Sequence, residues 1–234
     1  MEKKHLVLAS GSPRRKELLS QLGYEFSVLV TDVEECKHAQ ETAEEYVKRL
    51  SLDKALAALS LLKDNPSEKQ NVISSSDTVD PSFDNAAVGS EIVDLSSEAV
   101  SLDSETVVLG SDTVVVSQGQ VLEKPTNFAD SKRMLTQLAN DRHQVMTAVS
   151  VVSEEKQRTE IIITDVWFKP LSEKEIEQYW QTGEPCDKAG SYGIQGLGGR
   201  FVTRIEGSYY AVVGLPLFET DQLLQYWKLT HSMT

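Results

Sequence analysis

The chain has 234 residues, of which 40% are hydrophobic, and its formal net charge is −13 at pH 7. This length suffices for one sizeable core or for two lobes around a groove. Binding to DNA or RNA requires a basic face, so the strong negative charge argues against a nucleic acid polymer as partner. A small anionic ligand stays open, because a local cluster can be positive on an acidic protein.

Cysteine usage and hydropathy predict the compartment. Two cysteines, Cys36 and Cys186, are too few for a disulfide framework in a chain of this length, which favours a reduced setting. No apolar stretch is long enough to span a bilayer, and the apolar run near the N-terminus is too short for a signal peptide. We therefore expect a cytoplasmic protein with no membrane partner.

The N-terminal segment predicts a strand followed directly by a helix. Residues 5–10 have the apolar pattern of a buried strand. Ser12 suits a helix N-cap, Pro13 suits the first helical position, and Gly23 ends the helix. A second short strand is predicted over residues 26–30.

The turn between this strand and helix is a candidate phosphate site. Arg14 and Arg15 lie in the first helical turn, although the helix dipole disfavours positive charge there. Free backbone N–H groups, the hydroxyls of Ser10 and Ser12 and the two guanidiniums converge at this point, and a phosphate satisfies all of them. The alternative is an ordinary strand-to-helix turn with solvated arginines.

An acidic loop with Glu34 and Glu35 comes next, and a long helix follows it. Thr42 and Glu45 form a capping box at the start of that helix, whose apolar positions keep helical spacing as far as Leu62.

Residues 64–105 differ in composition from the rest of the chain. They are serine-rich and hold ten acidic residues against a single lysine, so they carry nine of the thirteen net negative charges. This composition predicts a solvated insertion within a single domain. Its residues 72–79 echo residues 107–114, which indicates either a partial duplication or chance.

Strands and helices mix in the remainder of the chain. The predicted strands are residues 106–109, 114–117, 144–152, 158–168, 201–205 and 209–213. The predicted helices begin at Thr126 or Asn127, at the capping box of Ser172 and Glu175, and at Pro216. Without strict βαβ alternation, this order predicts a mixed α/β (α+β) fold, with a mixed sheet flanked by helices.

Two short motifs carry groups suited to phosphate chemistry. Asp112, in the sequence Gly-Ser-Asp-Thr, is predicted near the end of an apolar strand, where a carboxylate can act as general base or hold a metal. The alternative there is a local turn closed by the Asp side chain. Lys124 is an adaptable donor for phosphate oxygens, although a lone lysine is usually only solvated.

The segment 187–199 is a candidate ligand loop. It has five glycines between positions 190 and 199, which permit close backbone approach to a ligand. Tyr192 and Gln195 provide a ring for base stacking and an amide for base-edge hydrogen bonds. A flexible loop is the alternative, although Tyr192 and Ile194 interleave the glycines.

Taken together, the cations, carboxylates and glycine-rich loop indicate metal-dependent attack of water on a nucleotide phosphate. The four histidines lack the spacing of a zinc site, and no Walker A, Rossmann or Gly-x-Ser-x-Gly motif occurs.

In the same order along the chain, these segments resemble the Maf family of nucleoside triphosphate pyrophosphatases. The matching motifs, joined by the acidic loop of Glu34 and Glu35, are LASGSPRR (8–15), YVKRLSLDKA (46–55), GSDTVV (110–115), LEKP (122–125), HQVMTAV (143–149), DKAGSYGIQGLGG (187–199) and EGSYYAVVGLP (206–216). The resemblance covers nearly the whole chain outside residues 64–105. It implies a Maf/ITPase-like fold, in which an elongated mixed sheet flanked by helices forms two lobes around a central cleft.

This resemblance also implies a reaction and a catalytic set. The reaction is hydrolysis between the α and β phosphates, with a divalent cation such as Mg or Mn, and the family suggests a homodimer. Asp112 matches the proton acceptor, while Lys54 and Lys124 match catalytic lysines that contact phosphates. Glu34 or Glu35 is implied in metal binding. Asp77-Thr78 mimics the Asp112-Thr113 pair but lacks the following strand pattern, so catalysis is assigned to Asp112.

Specificity is also implied by the resemblance. Arg14, Thr113 and Gln195 match the branch acting on dTTP and UTP, whereas the branch acting on 7-methyl-GTP has an aromatic residue, Gln and Glu there. The phosphate-binding residues are then Ser10, Ser12, Arg15 and Lys188. Two alternatives stay open: a 7-methyl-GTP pyrophosphatase, and a catalytically weak, nucleotide-binding regulator of cell division.

Overall fold

The computed structural model describes residues 4–64, 73–74 and 105–231. The strands are β1 (His5–Ala9), β2 (Phe26–Val28), β3 (Ile73–Ser74), β4 (Thr106–Ser117), β5 (Gln120–Leu122), β6 (Arg142–Val152), β7 (Gln157–Phe168) and β8 (Val202–Glu206). The helices are α1 (Pro13–Gln21), α2 (Ala43–Asp64), α3 (Phe128–Leu138), α4 (Glu173–Gln181), α5 (Tyr209–Val213) and α6 (Leu217–Tyr226). Nearly all of the predicted insertion, including Asp77-Thr78, lies outside the described residues.

The described strands form one mixed sheet, as the sequence predicts. Their order is β3-β2-β1-β4-β6-β7-β8, and β5 pairs with the far end of β4. Strand β1 runs parallel to both β2 and β4, while the remaining pairs are antiparallel. No helix in the described part of the chain has the length and hydropathy needed to cross a membrane.

Helices cover both faces of this sheet, and alternation along β4 shows which helix lies on which face. Val107 and Leu109 are fully buried in a cluster with residues of α1 and α6. The intervening Val108 packs in a different cluster, with Ala55 and Ala58 of α2. Side chains at even positions of β4 therefore face α2, and those at odd positions face the opposite side of the sheet, where α1 and α6 pack against Val107 and Leu109.

Close contact between α2 and β4 requires the glycine at position 110. A Cβ there would lie 2.3 Å from the carbonyl oxygen of Ser51 and 2.9 Å from the amide nitrogen of Ala55. The hydroxyl of Ser51 donates to the carbonyl of Gly110 over 3.1 Å, which holds helix and strand together.

The cleft of the molecule forms where β1 stops and β4 continues. The last residue of β1, Ala9, pairs with Gly110, and β5 pairs with β4 only from Val115 onward. Within the described residues, positions 111–114 therefore pair on the β6 side alone. Ligand sites in sheets with parallel strands often lie beyond the carboxyl end of a strand, and β1 leaves such a gap.

Asp112 was predicted near a strand terminus, with a turn as the alternative, and both are wrong. A single strand, β4, runs through it from Thr106 to Ser117. The antiparallel ladder with β6 extends along β4 from Val108 to Val116, so backbone pairing overrides the local turn preference of Ser-Asp.

The predicted strand over 209–213 is also wrong, because these residues form α5. The Ser208 hydroxyl accepts a hydrogen bond from the amide of Ala211, and Gly214 ends the helix with a φ of 128°. The β-branched and aromatic residues of this run favour a strand locally, but this N-cap and C-cap define a one-turn helix instead. The capping boxes at Thr42 and Ser172 and the Asn127 cap are confirmed.

Candidate active site

A cleft of about 790 Å³ opens at the end of β1. Eleven of the twelve predicted site residues line it: Ser10, Ser12, Arg14, Arg15, Glu35, Lys54, Asp112, Thr113, Lys124, Lys188 and Gln195. These residues come from six separate segments of the chain, so the fold brings together groups that the sequence holds far apart. Glu34 does not line the cleft.

On the α2 side of β4, an ammonium lies between two carboxylates. The Nζ of Lys54 donates to Asp112 Oδ1 over 2.6 Å and lies 2.5 Å from Glu35 Oε1. Lys54 and Asp112 are almost buried, with side-chain exposures of 12% and 10%. Lys124 approaches Glu35 Oε2 at 3.3 Å from the open side. Of the two acidic residues predicted to hold a metal, Glu35 is the one placed in this cluster.

These lysines control the charge of Glu35. Burial raises the pKa of the Glu35 carboxyl, but the hydrogen bond and charge of Lys54, aided by Lys124, outweigh it, and the pKa lies below its ordinary value. Glu35 is therefore ionised at neutral pH. Tyr46 of α2 joins this loop to the segment after β5, because its hydroxyl lies 2.9 Å from the Glu35 carbonyl oxygen and 3.0 Å from Glu123 Oε1. Sequence analysis assigned no role to Tyr46 or Glu123.

Arg15 lies on the opposite side of β4 and joins three elements. Its Nε donates to the carbonyl of Gly214 over 2.8 Å, and its Nη2 donates to Thr113 Oγ1 over 3.1 Å. The Nη1 atom lies 3.5 Å from Ser10 Oγ. Burial lowers the pKa of Arg15 below its ordinary value, yet an arginine stays protonated under all ordinary conditions. Ser12 begins α1, but its side chain makes no capping hydrogen bond.

A carboxylate–phenol pair, formed by the half-buried Glu184 and the buried Tyr179, shapes the glycine-rich loop. The carboxylate of Glu184 accepts hydrogen bonds from the amides of Leu197 (2.8 Å) and Gly198 (3.0 Å) and from the hydroxyl of Tyr179 (2.7 Å). The Tyr179 hydroxyl in turn accepts from the amide of Gly193 over 3.0 Å. Sequence analysis missed both residues; Glu184 lies just outside the segment 187–199 that it singled out.

The glycines of this loop allow close approach to the protein itself rather than to a ligand. A Cβ at Gly196 would lie 2.4 Å from Glu184 Oε2, and one at Gly198 would lie 2.5 Å from Tyr179 Oη. Since Glu184 is held by several hydrogen bonds, it cannot move aside cheaply. The loop therefore wraps around the Glu184–Tyr179 pair and presents Gln195 to the cleft.

Tyr192, predicted to offer a ring for base stacking, borders the cleft but presents little of its ring to it. It is 5% exposed, and its ring packs edge-on against Phe168 with centroids 4.7 Å apart. Its hydroxyl lies 2.9 Å from Nε2 of His143, whose pKa is lowered by burial to about 4, so that the imidazole is neutral at pH 7. Tyr192 is a core residue that anchors the loop.

Two cationic side chains, Arg14 and Lys188, lie at the mouth of the cleft. Arg14 Nη1 lies 3.7 Å from Asp187 Oδ2, and Lys188 Nζ donates to Asp187 Oδ1 over 2.6 Å and to the Glu184 carbonyl over 3.1 Å. Asp187 is exposed, so these contacts are weak and free to exchange for a ligand's oxygens.

Among the described residues, no group of three or more His, Cys, Asp or Glu side chains is arranged to hold a metal ion. Glu34 instead contacts Cys36, and its hydrogen bond and charge raise the pKa of that thiol. A raised pKa leaves less of the reactive thiolate form at Cys36.

A cleft at the end of a parallel strand, with several cations beside the buried Asp112 carboxylate and the more exposed Glu35 carboxylate, defines an α/β protein that handles a phosphorylated ligand. Comparisons with known proteins agree with this class. The family model described as "Maf-like protein" matches residues 5–227. The chain belongs to the Maf family, which confirms the resemblance that its motifs indicate.

Individual relatives match almost end to end. A protein of Vibrio parahaemolyticus named dTTP/UTP pyrophosphatase is 60% identical over 220 residues, which cover 94% of this chain and 95% of that protein. Proteins with the same name from Vibrio cholerae and Pseudoalteromonas atlantica are 55% and 45% identical. These alignments cover 94% and 97% of this chain, and 96% and 99% of the relatives.

Proposed function

We propose that this protein is a nucleoside triphosphate pyrophosphatase that hydrolyses dTTP and UTP to the nucleoside monophosphate and inorganic pyrophosphate (diphosphate). This activity would remove unwanted nucleotides from the cellular pool. The observation that carries the proposal is the Lys54 ammonium, held between Asp112 and Glu35 at the end of β1. The names of relatives up to 60% identical support the same substrates.

In this proposal Asp112 accepts the proton of the attacking water. Its Oδ1 is bound by Lys54, so its second carboxylate oxygen is the one available to the water. Lys54 orients the carboxylate, and Lys124 and Lys188 compensate the negative charge that develops on the phosphates.

The donor set also fits a divalent cation such as Mg or Mn. Magnesium is usually held by one or two carboxylates together with substrate phosphates, and Glu35 and Asp112 are two carboxylates that share one lysine. When bound, the ion would neutralise phosphate charge and favour attack by water. Glu35 would be the loop residue that holds the ion. Glu34 would not bind the ion and would only add negative charge to the loop.

The other side of β4 is proposed to select the base and hold the phosphates. Arg14, Thr113 and Gln195 line the cleft there, and the Gln195 amide can donate to O4 on the O4/N3–H edge of uracil or thymine, which leaves N3–H to another acceptor. The proposed phosphate ligands are Ser10, Ser12, Arg15 and Lys188. A cytoplasmic location and a homodimer stay predictions, and sedimentation of the purified chain would test the homodimer.

A turnover screen tests this function. The purified chain is incubated with UTP, dTTP, CTP, GTP and 7-methyl-GTP, with Mg or with Mn, and phosphate is measured with and without added inorganic pyrophosphatase. We expect UTP and dTTP to turn over fastest, with phosphate released only when the auxiliary enzyme is present. Faster turnover of 7-methyl-GTP would favour the other branch, and binding without turnover would favour a regulator.

A further inference from the structure

Behind Thr113 lies a second threonine whose hydrogen bonds are fully determined. Thr147 of β6 is opposite Thr113 in the sheet register and has no solvent exposure. Its Oγ1 lies 2.7 Å from the carbonyl oxygen of Ala211 in α5 and 3.0 Å from Thr113 Oγ1. A carbonyl oxygen can only accept a hydrogen bond, so the Thr147 hydroxyl donates its one proton to the Ala211 carbonyl.

This assignment fixes the hydroxyl of Thr113. Since the Thr147 proton is committed, the contact between the two threonines requires Thr113 to donate and Thr147 to accept. Arg15 Nη2 can only donate, and its hydrogen bond over 3.1 Å occupies one lone pair of Thr113 Oγ1. One lone pair is left on Thr113, which is partly exposed and lines the cleft. Thr113 therefore offers a ligand an acceptor and no donor.

We propose that Thr147 is a positioning residue for base discrimination. By holding the Thr113 proton away from the cleft, it leaves an acceptor that favours the N3–H of uracil and thymine and disfavours cytosine, whose N3 is itself an acceptor. This inference rests on the proposed function, in which Thr113 faces the base. N3–H is the single N–H group of a uracil or thymine nucleotide base, so it is the group that an acceptor there must meet.

Substitution of Thr147 tests the inference directly. Thr147→Val keeps the shape of the side chain but lacks the hydroxyl, so the Thr113 proton is free to turn toward the cleft. We expect the ratio of kcat/KM for CTP to that for UTP to rise about tenfold, the size of one matched or mismatched hydrogen bond, mainly through KM. Thr147→Ser keeps the hydroxyl and is expected to keep the wild-type ratio.

The outcomes separate this inference from the proposed function. An unchanged or lower CTP-to-UTP ratio in Thr147→Val would overturn the role of Thr147, as would an equal rise in Thr147→Ser. Absence of UTP turnover by the wild-type chain would instead overturn the proposed function.

A second measurement needs no variant. A methyl group at N3 of UTP removes the N–H that Thr113 would accept, whereas a methyl at C5 leaves that edge intact. With the wild-type enzyme we expect kcat/KM for 3-methyl-UTP to be at least about tenfold below that for 5-methyl-UTP. Equal values for the two nucleotides would overturn the proposal.

Discussion

The two sides of β4 have opposite chemical character, although they are one residue apart in sequence. On the α2 side, the nearly buried Asp112 and Lys54 meet the more exposed Glu35 in a set of full charges. On the α1 side, Thr113 meets Arg15 and Thr147, and its hydroxyl belongs to a chain that ends on a backbone carbonyl. Successive side chains of a strand point to opposite faces, which places the two networks back to back around one cleft.

Because the two networks lie on opposite faces of β4, we expect that hydrolysis and base recognition can be changed independently. Charges on the α2 side are expected to affect the reaction step, and therefore kcat, for every nucleotide alike. Hydroxyls, amides and loop contacts on the α1 side are expected to affect KM and the ratio between nucleotides. The predictions below test this division, beginning with the largest effect.

Asp112→Asn is expected to have the largest effect. Asparagine keeps the shape of the side chain but cannot accept a proton, and a general base contributes about 10²–10⁴-fold to a rate. We expect kcat for UTP and dTTP to fall by about that factor, with an unchanged circular dichroism spectrum and melting temperature. Near-wild-type turnover in a folded variant would remove Asp112 from the reaction.

Lys54→Met is expected to rank second. The substitution leaves Asp112 without its ammonium partner and Glu35 with only the more exposed Lys124. Loss of one charged stabilising group costs about 10²-fold in kcat, and the UTP-to-CTP ratio should stay as in the wild type. Lys63→Met makes the same change at a half-exposed lysine at the far end of α2, and it should leave kcat and the nucleotide ratio unchanged. A large change in the nucleotide ratio would contradict the division between the two sides.

Glu184→Gln is expected to affect binding rather than chemistry. The variant weakens the acceptor for the amides of Leu197 and Gly198, so the loop that carries Gln195 becomes less well ordered. We expect KM for UTP to rise about fivefold with kcat nearly constant, because an interaction common to ground and transition states is lost. Glu173→Gln, an exposed residue on α4, provides the matched charge control.

The same variant has a pH signature in stability. Burial raises the pKa of Glu184, but the amides of Gly198 and Leu197 and the Tyr179 hydroxyl outweigh it, so the pKa lies below its ordinary value. The stabilisation by this carboxylate is therefore full above the unfolded pKa of about 4.3 and is lost as pH falls through the folded value. Urea unfolding should show wild type more stable than Glu184→Gln by about 1–2 kcal/mol at pH 7, with a smaller difference at pH 3. A constant difference would contradict this role.

Sequence patterns predicted the mixed sheet and most caps, because these depend on local periodicity, and the family resemblance completed a set of twelve site residues of which eleven line the cleft. These patterns failed where strand pairing, or the caps at the two ends of a short run, override the local preference. The turn preference of Ser111-Asp112 gives way to pairing with β6, and the strand-like run 209–213 becomes helical between its caps. The contacts of Glu184 also join segments that only the folded chain brings together, so no periodicity marks it.

Asp187→Asn is expected to have the smallest effect, and two opposed consequences decide its sign. Losing the exposed contacts to Arg14 and Lys188 costs positioning, but such surface pairs contribute at most about 1 kcal/mol and often less. Removing a negative charge from the cleft mouth also frees both cations for the triphosphate. We expect the second effect to win and KM to fall about twofold, less at high salt. Asp53→Asn on α2 is the control, and a raised KM for Asp187→Asn would show that positioning dominates instead.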